Sequence, residues 1–513
     1  MRSPADLILH NANIITLDES KPGASAVAVR GQRIAAVGTD PDILSHKGPK
    51  TKIIDCQGKT VVPGFNDAHC HPIALAASLL SVDCGPASVR SIRSIQEAIR
   101  QRASQTSEGH WIRATGYNEF YLTEKRHPNR RDLDKAAPEH PVKLSHRSGH
   151  ACVLNTKALE LLGISSETEE PEGGMMERDL ETGEPNGLLF EMNTFVDKMI
   201  PPLTDDELER GVTLANEALL ANGITSLQDA SWNNSASRWQ LLRHLKERGA
   251  LLPRVSMMVG ADALEESRSF NQSGSADHLR LGPVKVIIHA ATGSLNPPQE
   301  ELNQLVLRVH RMGLQLAFHA DEVETLNAAI TALEYALSKA LRPNHRHRLE
   351  HCSVCPPHLL RRLKETGAMV VTQPPFIYYS GERYLATVPS GDLEWLYAIG
   401  SLRASNIRVA ASSDAPVVPF SPQVGMYAAV TRRTQSRQRL LPHESISPLE
   451  AMKSYTIDAA YASFEEKGKG SISPGKLADL VVLSDDPTTV SSDQIMKIKV
   501  LTTILDGKVV WQE

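Results

Sequence analysis

This chain has few cysteines, no long apolar run and no marked excess of charge, and each shortage removes a class of protein. Six cysteines spread unevenly over 513 residues do not make a disulfide framework. No stretch of about 18 apolar residues occurs, so no membrane span and no membrane partner are expected. A net charge of −5 and a pI near 6.5 give no sign of a nucleic-acid partner. The opening Met1-Arg2-Ser3-Pro4-Ala5-Asp6 leads straight into a strand-like segment, not an apolar signal core, so a cytoplasmic, thiol-reducing setting is the expectation. Repeats of short period and low-complexity segments are also missing. What is there is ordinary globular composition, 41% hydrophobic and 22% charged, with ample material for a core.

Short strands fill the N-terminal part: Leu7 to Thr16, Ser25 to Arg30, Arg33 to Val37 and Lys52 to Asp55, with a hairpin turn at Arg30-Gly31-Gln32-Arg33. The C-terminal part has the same texture in Leu480 to Leu483, Val500 to Asp506 and Lys508 to Trp511. Neither end has enough strands to bury a core alone, so residues 1–62 and 467–513 are expected to share one small β-sandwich. Between them, strand-like runs alternate with amphipathic helices such as Asp205 to Ala221 and Gln299 to Arg311. The runs are Thr60 to Phe65, Ile224 to Gln228, Arg254 to Val259, Val284 to Ile288, Leu314 to Phe318, His347 to Leu349, Ala368 to Thr372 and Ile407 to Ser412. That pattern predicts an α/β fold, a (β/α)8 TIM barrel over residues 63–466, with a doubly wound sheet as the alternative. The gap after the first run is too long for one loop and contains the turn-rich Pro171-Glu172-Gly173-Gly174. An inserted subdomain of about residues 105–205, covering the barrel mouth, is expected there.

In a barrel of this kind chemistry sits at the C-terminal ends of the strands. His69-Cys70-His71 follows the apolar run Val61-Val62-Pro63-Gly64-Phe65, and residues at i and i+2 of an extended segment reach to the same side. Later strand ends add Lys285, His319, His351 and Asp414. Several histidines and one carboxylate suit Zn²⁺ or a similar divalent ion. Each residue also has a plainer reading: a hydrogen-bonded core histidine for His319 or His351, and a turn or cap for Asp414. A charged lysine inside Val284-Lys285-Val286-Ile287-Ile288 is costly unless paired or modified. Cys352-Ser353-Val354-Cys355 reads as structural thiols, and His345 and His347 as solvated residues of a basic turn. Tyr378, Tyr379 and Trp395 serve either packing or a pocket wall.

Taken together these motifs resemble the amidohydrolase superfamily, and within it family 3, which includes N-substituted formamide deformylases. The resemblance rests on Val62-Pro63-Gly64-Phe65-Asn66-Asp67-Ala68-His69-Cys70-His71-Pro72, on Ser145-His146-Arg147-Ser148-Gly149-His150 with Asn155, and on Gly173-Gly174 with Gly183-Glu184-Pro185-Asn186-Gly187. It continues in Arg346-His347-Arg348-Leu349-Glu350-His351, Ser413-Asp414-Ala415-Pro416, Gly470-Ser471-Ile472 and Pro474-Gly475-Lys476-Leu477-Ala478-Asp479-Leu480. It implies one or two metal ions held by His69, His71, His319, His351 and Asp414. It also implies that Lys285 stands where several branches carry a CO₂-carboxylated, metal-bridging lysine. Two features depart from the pattern. His289-Ala290-Ala291-Thr292-Gly293-Ser294 places His289 where an aspartate is usual, and His319-Ala320-Asp321-Glu322 is similar to mononuclear deaminases in which a glutamate shuttles protons.

The reading is therefore a metal-dependent hydrolase of a C–N bond in an amide, cyclic amide or N-substituted formamide, with Asp414 as ligand and base. Its alternatives are a mononuclear zinc deaminase or cyclic-amidine hydrolase using Glu322, and a catalytically silent binding or regulatory barrel. Arg147, His150 and His289 are the candidate substrate contacts. A small-molecule substrate is the expected partner, and a homodimer is left open.

Overall fold

Eight consecutive parallel strands form the central sheet: β1 (Phe65–Cys70), β2 (Ile224–Asp229), β3 (Arg254–Gly260), β4 (Leu279–Ile287), β5 (Leu316–Ala320), β6 (Arg348–His351), β7 (Met369–Thr372) and β8 (Val409–Ala411). The computed structural model of the protein describes residues 4–171, 173–267, 270, 278–290 and 294–513. Each strand pairs in register with the next, and β1 and β8 are the ends of the series. They are joined beyond their C-termini, where the Asp414 N–H donates to the His69 carbonyl and the His71 N–H to the Ala415 carbonyl, both at 2.8 Å. The result is a (β/α)8 barrel. Its strands are buried almost throughout, polar residues of β1, β2 and β6 included, because a parallel sheet is covered on both faces. The helices Asp205–Ala221 and Gln299–Arg311 have the bounds that their apolar spacing predicts.

Two smaller sheets hold both ends of the chain. One orders Arg33–Gly38, Ala26–Arg30, Leu7–His10 and Lys52–Asp55; the other orders Lys508–Gln512, Val500–Leu505, Leu480–Leu483, Thr60–Pro63, Asn13–Ile15 and Gly23–Ala24. Their facing side chains, among them Leu9, Val27, Val29, Val61, Leu480 and Ile504, form one sandwich core. Burying each such side chain contributes roughly 1.5–3 kcal/mol.

The structure corrects three local expectations. Thr60 to Phe65 is not one barrel strand: Thr60–Pro63 pairs antiparallel with Leu480–Leu483 in the sandwich, and the barrel begins at Phe65. The break falls at Gly64, where a Cβ would lie 2.1 Å from Thr225 Oγ1, so only glycine fits against β2. Leu7 to Thr16 likewise divides between the two sheets. The chain crosses at Asn11, whose φ of 52° is a left-handed conformation that asparagine tolerates. His345 and His347 are not solvated; both are buried, at 3% and 0% exposure.

The chain divides into two compact units, Met1–His71 with Asn216–Glu513, and Pro72–Ala215. The second starts directly after His71, upstream of the position near residue 105 where the composition suggested an insert. It has its own mixed sheet, ordered Met175–Arg178, Pro185–Phe190, Ala151–Leu154, Val142–His146, Ile112–Tyr117 and Val82–Asp83. Its helix Ile92–Ala103 starts at a capping box in which the Ser91 side chain accepts from the Ser94 N–H. Ile95, Ile99, Val142, Leu144 and Val153 fill its core.

Candidate metal centre

β1 ends on His69, and the chain passes through Cys70 to His71, so both imidazoles leave the barrel rim side by side, their ring centroids 5.5 Å apart. Asp414 follows β8 and has a φ of 60°, in the left-handed region. Its carboxylate Oδ1 then lies 3.0 Å from His71 Nε2 and 3.5 Å from His69 Nε2. His351, at the end of β6, is also left-handed with φ 69°, an unusual conformation for a side chain of its size. Its ring centroid is 4.8 Å from that of His69 and 4.5 Å from that of His319, at the end of β5. Ligand atoms of His69, His71 and Asp414 all lie within 4.8 Å of one another.

Three of these histidines are held in the same way. His69 Nδ1 is 2.5 Å from Glu350 Oε2, and His351 Nδ1 is 2.9 Å from Gln373 Oε1. His71 Nδ1 is 3.1 Å from Ser231 Oγ, a hydroxyl already donating to Asp229. At His69 and His351 the Nδ1–H thus donates to an acceptor behind the ring and leaves the Nε2 lone pair unused, while His71 Nε2 is hydrogen-bonded to Asp414 Oδ1 at 3.0 Å. His351 Nε2 and Lys285 Nζ are buried and have no hydrogen-bond partner among the described residues. Orphaned groups of this kind carry a desolvation cost that a ligand removes, so this donor set fits a divalent cation.

The electrostatics agree with that fit. Burial holds His69 well below the ordinary histidine range, assisted by the positive charge of Lys285. Burial and the neighbouring His319 take His351 down to about 3. Neutral imidazoles are the form that binds metal. Burial alone would raise Asp414, but the His71 hydrogen bond and the nearby positive charge of Lys285 hold it below the usual carboxylate range. Lys285, 3% exposed, is lowered by burial to about 8, against the opposing pull of Glu350 and Asp414. Asp67 is pushed by burial up to about 6, although it accepts from the Ser413 backbone and hydroxyl.

The remaining candidates lie elsewhere. Glu322 is exposed, at the N-cap of helix Val323–Lys339, where its N–H donates to the Thr325 hydroxyl. Burial and Asp321 raise its carboxyl. His289 is exposed just beyond β4, its backbone paired with Asn296; Ala291 to Gly293 of the same segment lie outside the described residues, as does Glu172 of the expected turn. Arg147 and His150 belong to the second unit, where His150 Nδ1 is 2.9 Å from Glu191 Oε1. Tyr378 packs with Ile377, Tyr384 and Tyr397 as part of an apolar cluster. Cys352 and Cys355 are buried free thiols. Sequence reading missed Glu350, Gln373 and Ser231. Only Glu350 had a signal, since Arg348 and Glu350 are two opposite charges at i and i+2 of a barrel strand.

An eight-stranded parallel barrel with histidines and an aspartate gathered at its C-terminal rim defines the class of metal-dependent hydrolases. The chain belongs to the amidohydrolase family, whose model matches residues 52–511. It is a hydrolase of carbon–nitrogen bonds. It is 30% identical to an N-substituted formamide deformylase of Arthrobacter pascens, over 99% of this chain and 98% of that one. It is 27% identical to the protein YtcJ of Bacillus subtilis (strain 168), over 99% of both. A solved metal-dependent hydrolase from Pyrococcus horikoshii shares the fold with a TM-score of 0.75, at 23% identity over 95% of this chain and 99% of that one. Among the described residues no helix is long and apolar enough to cross a membrane.

Proposed function

We propose that the chain hydrolyses N-substituted formamides or closely related small amides at a zinc centre held by His69, His71, His319, His351 and Asp414. The observation that carries this reading is the set of histidines held at Nδ1, with the Nε2 atoms of His69 and His71 turned toward the Asp414 carboxylate. Whole-length similarity to a formamide deformylase supports the substrate class. A divalent cation bound there supplies Lewis acidity, which lowers the pKa of water and polarises a carbonyl. Asp414, kept deprotonated by its neighbours, accepts the proton of the attacking water at a carboxylate oxygen. It then delivers that proton to the departing nitrogen, so the amine leaves neutral. His69 and His351 stay neutral because of burial and add no competing acid.

Lys285 is assigned to carboxylation under the same proposal. Its buried Nζ has no partner among the described residues, and burial makes the neutral amine accessible near neutral pH. The amine nitrogen bonds to CO₂ and releases one proton to solvent, leaving an anionic carbamate that would add a negative ligand to the centre. The competing reading, a mononuclear site with Glu322 as shuttle, has less support, because Glu322 is exposed at a helix cap.

Metal analysis of the purified chain with a substrate screen tests this reading. Two metals per chain and turnover of N-substituted formamides in preference to lactams are expected. One metal together with deamination would favour the Glu322 site. A metal-free chain hydrolysing none of these amides would defeat the proposal.

A further inference from the structure

We infer that Glu350, fixed by Arg348, is the positioning residue that sets the ring tautomer of His69 and so makes its Nε2 a metal ligand. This rests on reading the barrel rim as a metal centre. Arg348 and Glu350 sit at i and i+2 of β6, both with 0% exposure. β6 pairs only with β5 and β7, yet Arg348 Nη2 donates to the Ala68 carbonyl of β1 at 2.8 Å, and Arg348 Nη1 donates to Gln228 Oε1 of β2. The guanidinium therefore crosses the barrel interior. Its Nε and Nη2 also grip Glu350, at 2.7 Å to Oε1 and 2.9 Å to Oε2. That bidentate pair leaves the carboxylate little rotational freedom.

The consequence falls on His69. A carboxylate only accepts, so the 2.5 Å contact from Glu350 Oε2 to His69 Nδ1 requires the proton on Nδ1. The opposite nitrogen, Nε2, then keeps its lone pair, aimed at the cluster with Asp414 and His71. All three guanidinium nitrogens of Arg348 donate to buried acceptors. Gln228 is in turn anchored through its Nε2, which donates to the Ala459 carbonyl at 2.8 Å. A line of buried groups thus runs Gln228–Arg348–Glu350–His69 and ends at the rim. Two buried charges so placed stabilise a fold no better than apolar packing would. Holding a ligand's tautomer and orientation is work that apolar packing cannot do.

The test uses the full-length chain stripped of metal and titrated with Zn²⁺ against a chelating indicator. Glu350→Gln is expected to weaken zinc binding about 10–100-fold relative to wild type. A companion measurement needs no variant of Glu350: ¹⁵N spectra of histidine-labelled, metal-free wild type, with the His69 signal assigned by its loss in H69N, should show the proton on Nδ1. Zinc binding by E350Q equal to wild type, or a His69 proton on Nε2, would overturn the positioning role. If E350Q fails to fold, the wild-type spectrum alone decides. Wild-type protein that takes up no zinc would instead defeat the reading of the rim as a metal centre.

Discussion

Two histidine clusters occupy opposite ends of the same barrel, and they differ in what their nitrogens touch. At the base, His347 Nδ1 accepts from the Leu316 N–H, and its Nε2 donates to His310 Nδ1 at 2.8 Å. His310 Nε2 donates to the Ala340 carbonyl, and His345 spans the His347 N–H and the Thr366 carbonyl. Every ring nitrogen there is matched. At the rim, His69, His71 and His351 are matched on Nδ1, but His351 Nε2 has no partner among the described residues, and the Nε2 atoms of His69 and His71 both face one carboxylate, that of Asp414, at 3.5 and 3.0 Å. His69 and His351 are buried like the three histidines of the base. The presence of an unused lone pair separates a ligand from a structural hydrogen bond, and a preorganised site keeps that imbalance at some cost in stability.

The largest effect that would sharpen the contrast is at Asp414. Asp414→Asn should lower kcat by at least about 10²–10⁴-fold, because an amide cannot take the proton, while the melting temperature stays near wild type. Near-normal kcat in a metal-loaded variant would remove Asp414 from its role. Next in size is the base of the barrel. Arg254, fully buried, pairs with Asp479 at 2.6 Å and also with Asp506, joining β3 to the sandwich. Arg254→Met should cost about 3–5 kcal/mol in denaturant unfolding by stranding Asp479, with the activity of the folded fraction kept. Unchanged stability would show that this ion pair is not needed.

His347→Ala should cost about 1–3 kcal/mol for each group it leaves unpaired, the Leu316 N–H and His310 Nδ1. His351→Ala should lose metal while costing much less stability, and equal losses from the two variants would break the comparison. The pH response follows from the same burial. His345 and His347 are held neutral below their ordinary value, first by burial and then by neighbouring positive groups. The unfolded chain takes up protons below about pH 6.5 and the folded one does not. Their stabilising contribution is therefore present above that pH and lost as pH falls, by up to ~1.4 kcal/mol per pH unit for each histidine. Unfolding curves between pH 7 and 5 should be steeper in pH for wild type than for His347→Ala. The smallest effect is expected at Glu322: Glu322→Gln should change kcat less than about tenfold, and a dead variant would revive the deaminase-like reading.

Sequence alone located the rim. Apolar runs bounded by polar residues identify barrel strands, and chemistry at strand ends follows from the architecture, so His69, His71, Lys285, His319, His351 and Asp414 were legible as a group. The two-ended sandwich was legible for the same reason, from strands too few to form a core separately. Tertiary structure alone decided what lies behind those residues. Glu350 reaches His69 across 281 positions of chain, and Arg348 crosses the barrel to β1 and β2. Periodicity reports which face of a strand is buried, but it does not report which side chains meet inside. His345 and His347 show the same limit, since a basic stretch reads as solvated until three buried rings are seen with every nitrogen matched, mostly by backbone groups. Local pattern fixes where a side chain stands along the strand. Only the closed barrel, by choosing its partners, decides whether that side chain is left with a lone pair to offer.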